Sequence, residues 1–112
     1  MLEIKNIKEN NHDILLLEGE VDASNSVELD SSIQQLSEEG ATVILVDASG
    51  LEYISSAGLG VFMSYLEDFQ ERNVKMIIFG LKEKVHQVFV ILGLDKLMNI
   101  KKSKEEALEE VK

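Results

Sequence analysis

The residues best suited to chemistry lie in the stretch DASGLEYISSAGLGVF, residues 47–62. It places Ser55 and Ser56 just before Gly58 and Gly60, where an apolar run gives way to a helical pattern. A strand followed by glycines and a helix start offers backbone N–H groups to a phosphate. A serine in such a loop is also a candidate nucleophile or a residue that another protein modifies.

Two of these chemistries lack their sequence requirements. A dinucleotide loop needs a third glycine where Met63 stands, and a P-loop needs a Gly-Lys-Ser/Thr ending that is absent. The nucleophile pattern Gly-x-Ser-x-Gly is not met around Ser55 or Ser56. The two histidines, His12 and His86, are expected to be ordinary surface or hydrogen-bonded residues. We therefore expect no catalytic residue, no cofactor and no metal site.

Modification of Ser55 or Ser56 by another protein fits the local chemistry. The small residues of this stretch leave the backbone at the helix start accessible to a kinase. A phosphate would meet unpaired N–H groups and the positive end of the helix dipole, which favour it by about 0.3–2 kcal/mol. Its added charge would disrupt a partner surface built for a neutral hydroxyl. From the residues alone, the alternative that both serines only cap the helix stays open.

Apolar spacing predicts the elements that position this stretch, in the order ββαβαβαβα. The run TVILVD, ending at Asp47, predicts the central strand. We expect Gly19 to end the second strand, Ser24 to cap the first helix, and Gly40 to end that helix. Right-handed crossovers then predict a single α/β domain over residues 1–112 with a mostly parallel or mixed sheet.

The remaining elements follow from the same spacing. A capping box of Ser103 and Glu106 predicts the start of the last helix, and Gly93 the end of the third helix. The expected strands are residues 4–7, 14–17, 42–47, 73–80 and 96–100, and the expected apolar helix positions are Leu29, Ile33 and Leu36, then Leu59, Phe62, Met63, Leu66 and Phe69, then Val85, Val88, Phe89 and Leu92.

Composition excludes several classes of function. Eleven basic and twenty-one acidic residues give a net charge of -10, which disfavours nucleic acid and anionic membranes as partners. The chain has no cysteine, so it has neither disulfides nor thiolate metal sites. No apolar run approaches the roughly 18 residues needed to span a bilayer. We expect a cytoplasmic protein without a membrane or nucleic-acid partner.

Three segments resemble the STAS family, in particular the bacterial anti-sigma factor antagonists. They are LEGEVDAS (residues 17–24), VILVDASGLEYISSAGLGVF (residues 43–62) and LDKLMNI (residues 94–100). The resemblance covers nearly the whole chain in the right order. It implies a four- to five-stranded sheet with helices mainly on one face, and a protein that acts by partner switching and is not an enzyme.

The resemblance also implies a regulatory cycle. In that family the dephosphorylated antagonist binds an anti-sigma factor that is a serine kinase, and the sigma factor is released. The kinase then phosphorylates the antagonist, and a serine phosphatase resets it. Alignment on Gly58-Leu59-Gly60 puts the phosphorylated serine at Ser56, with Ser55 in the place of the family's usual aspartate. Ser55 is therefore the less favoured acceptor.

The loops implied to contact the partner are the GEVDAS segment and the serine loop. Asp22 is a candidate contact, with helix capping as an equal alternative. A STAS module that controls a phosphatase, cyclase or secretion regulator is the rival function, and a nucleotide-binding protein is a more distant one. The expected partner-binding residues are Asp22, Ala23, Ser24, Asn25, Ser55, Ser56, Ala57, Gly58, Leu59 and Gly60.

Overall fold

The computed structural model describes every residue from Met1 to Lys112. One five-stranded sheet is flanked by five α-helices, and a short 3₁₀ turn precedes the last strand. The elements are β1 (Leu2–Glu9), β2 (His12–Val21), α1 (Ser26–Glu38), β3 (Val43–Ile54), α2 (Ser56–Ser64), α3 (Leu66–Glu71), β4 (Lys75–Phe79), α4 (Glu83–Ile91), the 3₁₀ turn (Leu94–Lys96), β5 (Asn99–Lys101) and α5 (Lys104–Glu110).

The strands lie in the sheet in their chain order, β1-β2-β3-β4-β5. β1 and β2 form an antiparallel hairpin, and all later neighbours are parallel. The hairpin turns at Asn10 and Asn11, whose φ angles of 51° and 68° suit asparagine, which tolerates the left-handed region. The antiparallel hairpin beside the parallel strands makes the sheet mixed, which confirms the predicted fold class.

The helices divide unequally between the two faces of the sheet. α1, α2, α3 and α4 pack on one face and contribute to a core cluster of 19 buried residues. α5 packs on the other face, where Ala107 joins a second cluster of 5 buried residues. Because alternate strand residues point to opposite faces, Leu15 and Leu17 face the four helices while Ile14 faces α5. The prediction of helices mainly on one face is confirmed.

Several predicted boundaries are correct. Gly40 and Gly93 follow α1 and α4 with φ angles of 89° and 73°, as expected for glycines that end helices. Ser103 caps α5, since its side chain accepts a hydrogen bond from the backbone N–H of Glu106 at 3.2 Å. None of the helices combines the length and the apolarity that crossing a membrane would require.

Other boundaries were predicted wrongly. Gly19 does not end β2, because the strand continues to Val21 through an irregularity in its pairing with β3. β3 likewise runs past Asp47 to Ile54, because the second half of the strand remains paired with β2. The predicted second helix is two helices, α2 and α3, separated at Tyr65.

Candidate functional site

The two segments expected to contact a partner meet at the carboxyl end of the parallel sheet. Val21 and Ile54 are the last paired residues of β2 and β3. The backbone N–H of Ser55 then donates to the carbonyl of Val21 at 2.8 Å, which holds the two strand ends together. Residues 22–25 and residues 55–60, here called the edge segments, therefore start side by side.

The first edge segment is held by its own side chains. The Asp22 carboxylate accepts hydrogen bonds from the Ser24 hydroxyl at 2.6 Å and the Ser24 backbone N–H at 2.9 Å. These hydrogen bonds hold the pKa of Asp22 below its ordinary value, and the bond from the Ser24 hydroxyl has the largest effect. Asn25 accepts from the Asp22 N–H at 2.9 Å and donates to the Glu20 carbonyl at 3.0 Å. The segment is thus a closed turn with an ionised, accessible carboxylate.

The helix-capping predictions for this segment were wrong. The residue before α1 is Asn25, and no side chain caps that helix. Ser24 is bonded to Asp22 instead, so neither of them satisfies an N–H group of the first helical turn. Short polar side chains compete in this way with helix capping, because they hydrogen-bond backbone groups two residues away.

Ser55 and Ser56 differ in what their hydroxyl groups do. Ser55 is the N-cap of α2, with extended backbone at φ -87° and ψ 173°, and its hydroxyl accepts from the Gly58 N–H at 3.3 Å. Ser56 is the first residue of α2, is exposed, and its hydroxyl makes no hydrogen bond within the chain. Only one of the two serines caps the helix, and the other offers a free hydroxyl.

Three of the expected partner-binding residues are buried and cannot present a side chain to a partner. Leu59 is 3% exposed and belongs to the main core, and Asn25 is 7% exposed within its turn. Gly58 lies against the strand ends, where a Cβ atom would come within 2.6 Å of Val21 and 2.8 Å of Ile54. These residues shape the edge segments. The sequence alone did not distinguish this structural role from direct contact with a partner.

The other expected contacts are accessible to different degrees. Ala23, Ser24, Ser56 and Gly60 are exposed, whereas Asp22, Ser55 and Ala57 are partly buried. Met63, which the helical spacing assigned to the apolar face of the helix, is 43% exposed and points away from the core. Met63 follows Ser56 by seven residues, which is about two helical turns, so the two residues lie on one face of α2.

The histidines lie away from the edge segments. His12 is at the amino end of β2, the opposite end of that strand from Ser56. His86 is in the middle of α4, and its backbone N–H donates to the Lys82 carbonyl at 2.8 Å. The edge segments hold serine hydroxyls, one carboxylate and helix-start N–H groups, a set that suits recognition or phosphate attachment at Ser56.

Comparison with known proteins adds the family to this geometry. A model of the STAS domain matches residues 4–107. The chain belongs to the STAS family. The match includes both edge segments of this STAS chain.

Relatives of this STAS chain include regulatory proteins. The anti-sigma-B factor antagonist of Listeria monocytogenes is 27% identical over 100 residues, which cover 89% of this chain and 87% of the relative. A candidate anti-sigma factor antagonist from Thermotoga maritima has a similar structure, with a TM-score of 0.89, 24% identity, and coverage of 96% of this chain and 93% of that protein.

One solved relative carries a modification. The Bacillus cell fate determinant SpoIIAA in its phosphorylated form aligns with a TM-score of 0.71 and 20% identity over the whole of both chains. At such identities the solved structures establish the common fold.

Proposed function

We propose that this chain is an anti-sigma factor antagonist and is not an enzyme. In its unphosphorylated form it binds an anti-sigma factor that is also a serine kinase, and the sigma factor is thereby released. Phosphorylation of Ser56 ends this binding, and a serine phosphatase restores it. The anti-sigma-B factor antagonists among the relatives support this proposal.

The observation that carries the proposal is the contrast between the two serines. The Ser55 hydroxyl accepts the Gly58 N–H and caps α2, so a kinase that used this oxygen would have to break that hydrogen bond. The Ser56 hydroxyl is exposed and free, one residue inside the helix. In the transfer, the Ser56 oxygen bonds to the γ-phosphorus of ATP, the bond to ADP breaks, and a base on the kinase takes the hydroxyl proton.

Phosphorylation at Ser56 is compatible with the fold. A phosphate there lies at the start of α2, where free N–H groups and the helix dipole stabilise negative charge by about 0.3–2 kcal/mol. No buried group is displaced, since the hydroxyl has no partner within the chain. The effect of the modification is therefore expected at the surface, where its charge and size change what a partner meets.

The test incubates the purified protein and ATP with each candidate serine-kinase anti-sigma factor of the organism that encodes this chain. Mass spectrometry should find one phosphate on Ser56 in the wild-type protein. Ser56→Ala should abolish the incorporation while it leaves the complex with the kinase intact. Ser55→Ala is the matched control and should still be phosphorylated.

Two outcomes contradict the proposal. One is phosphate incorporation into Ser56→Ala equal to that of the wild type. The other is a phosphorylated protein that binds the kinase as tightly as the unmodified one. A pull-down in which the protein captures only a phosphatase, a cyclase or a secretion regulator would exclude the sigma-factor role. It would instead support a partner-switching role for this STAS domain in another circuit.

A further inference from the structure

The two edges of the sheet differ in length and regularity. β5, at one edge, has only three residues, and a short edge strand offers little to pair with another chain. β1, at the other edge, has eight residues, contains no proline and pairs with β2 without a bulge. β1 is therefore a long, regular strand with one unpaired side.

The unpaired backbone groups of β1 belong to its even-numbered residues. The hairpin turns through two residues, so Glu9 and His12 flank the turn and form a hydrogen-bonded pair. At the start of the strand, the carbonyl of Met1 accepts from the Glu20 N–H at 3.0 Å. Because backbone groups alternate in direction along a strand, the odd-numbered residues bond to β2 and the even-numbered ones face outward. The outward residues are Leu2, Ile4, Asn6 and Lys8.

The side chains of β1 are suited to a second copy of the same strand. β1 holds two lysines and two glutamates and has no net charge, whereas the whole chain has a charge of -10. Met1 and Ile7 are 90% and 44% exposed, and Leu2 and Ile4 are only half-buried against the main core. A neutral strand with exposed apolar side chains can approach its own copy without charge repulsion between the strands.

Symmetry restricts how two β1 strands can pair. Two identical edge strands in one antiparallel sheet are related by a two-fold axis perpendicular to that sheet. Only the even-numbered residues have free backbone groups, so they must form the hydrogen-bonded pairs with one another. The axis then passes through a single residue position of β1. The central positions that this leaves near the middle of the strand are Ile4, Lys5 and Asn6.

The charges of β1 favour one of these three positions. An axis at Lys5 places Lys5 directly opposite its own copy. An axis at Asn6 places Glu3 opposite Glu9 of the second copy. An axis at Ile4 instead places Glu3 opposite Lys5 twice, in non-hydrogen-bonded pairs, where facing side chains lie closest. Opposite charges thus meet only in the register centred on Ile4.

We propose that this chain forms a homodimer through β1, in which the two strands pair antiparallel around Ile4. The facing residues are Ile4 with Ile4, Glu3 with Lys5, Leu2 with Asn6 and Met1 with Ile7. The free N–H and C=O groups of the even-numbered residues in this region then have partners, and the two five-stranded sheets join into one. The interface is closed by its two-fold axis, so no third copy is added.

The dimer and the Ser56 site use different strands. Ser56 begins the helix that follows β3, and β2 separates β3 from β1. The second copy is therefore added on the far side of β2 from Ser56. The inference goes beyond the proposed function and does not depend on it.

We expect a weak dimer. A pairing over about seven residues covers less than the roughly 1,600 Å² of a typical stable interface, and each copy carries a charge of -10. A dissociation constant on the order of 100 µM gives mostly monomer at about 10 µM and mostly dimer at about 500 µM. Sedimentation equilibrium of the full chain over this concentration range measures the association.

A proline substitution tests the backbone pairing. Asn6→Pro should leave the protein monomeric, because proline removes an outward N–H that pairs with Leu2 of the second copy. No hydrogen bond to β2 is lost, since the Asn6 N–H faces away from that strand. Asn6→Thr keeps the N–H and is the matched control, which should dimerise as the wild type does.

Charge exchange tests the register. Glu3→Lys places a lysine opposite Lys5, and Lys5→Glu places a glutamate opposite Glu3, so each variant alone should be monomeric. An equimolar mixture of the two variants should associate, because opposite charges then meet in both pairs. The double variant Glu3→Lys/Lys5→Glu should also dimerise. Glu105→Lys and Lys96→Glu make the same charge changes at exposed positions away from β1 and should associate as the wild type does.

Several results would overturn the inference. One is a wild-type protein that stays monomeric at about 500 µM. Another is a dimer that persists in Asn6→Pro and in both single charge variants, since the interface would then lie elsewhere. A third is equal loss of association in the Glu105 and Lys96 controls, which would make net charge the cause. Thermal unfolding of each variant must match that of the wild type, and if Asn6→Pro fails to fold, the charge variants decide.

Discussion

Gly58 and Gly60 lie two residues apart in α2, and we expect the same substitution to have opposite effects at the two positions. A Cβ atom on Gly58 would come within 2.6 Å of Val21 Cγ1 and 2.8 Å of Ile54 Cγ1, closer than carbon atoms approach each other. A Cβ atom on Gly60 would meet nothing within 4 Å. Both residues are helical, so at each position alanine loses less backbone entropy on folding than glycine does.

The magnitudes follow from these contacts. Replacing a helical glycine with alanine stabilises by roughly 0.5–1 kcal/mol when the new methyl group fits. Overpacking a closed site costs about 1–3 kcal/mol, and two contacts below 3 Å at the strand ends place Gly58 at the upper part of that range. We therefore expect Gly58→Ala to lower the free energy of unfolding by about 2 kcal/mol and Gly60→Ala to raise it by about 0.5–1 kcal/mol.

Urea unfolding of the two variants beside the wild type measures both effects, since the free energy falls linearly with urea and its slope should not change between them. The roughly 3 kcal/mol separation expected between the variants is well beyond the error of the method. Equal shifts at both positions, or a stabilised Gly58→Ala, would show that α2 does not pack on Val21 and Ile54 as described.

Two further predictions concern the groups that hold the site. Ser55→Ala should lower the free energy of unfolding by about 1 kcal/mol in the same urea experiment, because the Gly58 N–H loses its cap, and Ser55→Asp should restore the loss; a neutral Ser55→Ala would contradict the capping role. Tyr65→Phe should cost about 1 kcal/mol, since the Tyr65 hydroxyl donates to the Asp30 side chain at 2.7 Å. Burial and this hydrogen bond to Asp30 raise the pKa of Tyr65 above its ordinary value of 10.0, so the folded state favours the protonated phenol. The associated stability is complete below pH 10 and is lost as the pH rises above it, so unfolding titrations above pH 10 should show a steeper loss in the wild type than in Tyr65→Phe.

The fold was largely predictable because its elements have strong local patterns. Leu29, Ile33 and Leu36 recur at helical spacing, and all three are buried in α1. The runs that predicted β3 and β4 are continuous apolar segments, as expected for strands covered on both faces. The helix ends at Gly40 and Gly93 were also predictable, because a residue with positive φ after a helix is a local backbone feature that favours glycine.

Predictions that depended on distant partners were less accurate. The second half of β3 mixes polar and apolar residues without strict alternation and contains Gly50, so no clear local pattern marks it as a strand. It is extended because β2 lies beside it and completes its hydrogen bonds. Met63 fits the helical spacing of a buried residue, yet it is 43% exposed near the end of α2, because the spacing alone does not say how the helix is rotated on the sheet.

The sequence by itself determined the order of elements, the acidic character of residues 9–71 and the small, serine-bearing start of α2, since all of these are properties of neighbouring residues. Only the tertiary structure decided which serine is free. The carbonyl of Val21, more than thirty residues away, holds the N–H of Ser55 and orients it as the cap of α2. Ser56 is thereby left exposed at the surface, because a strand pairing that no local pattern contains fixes where the helix begins.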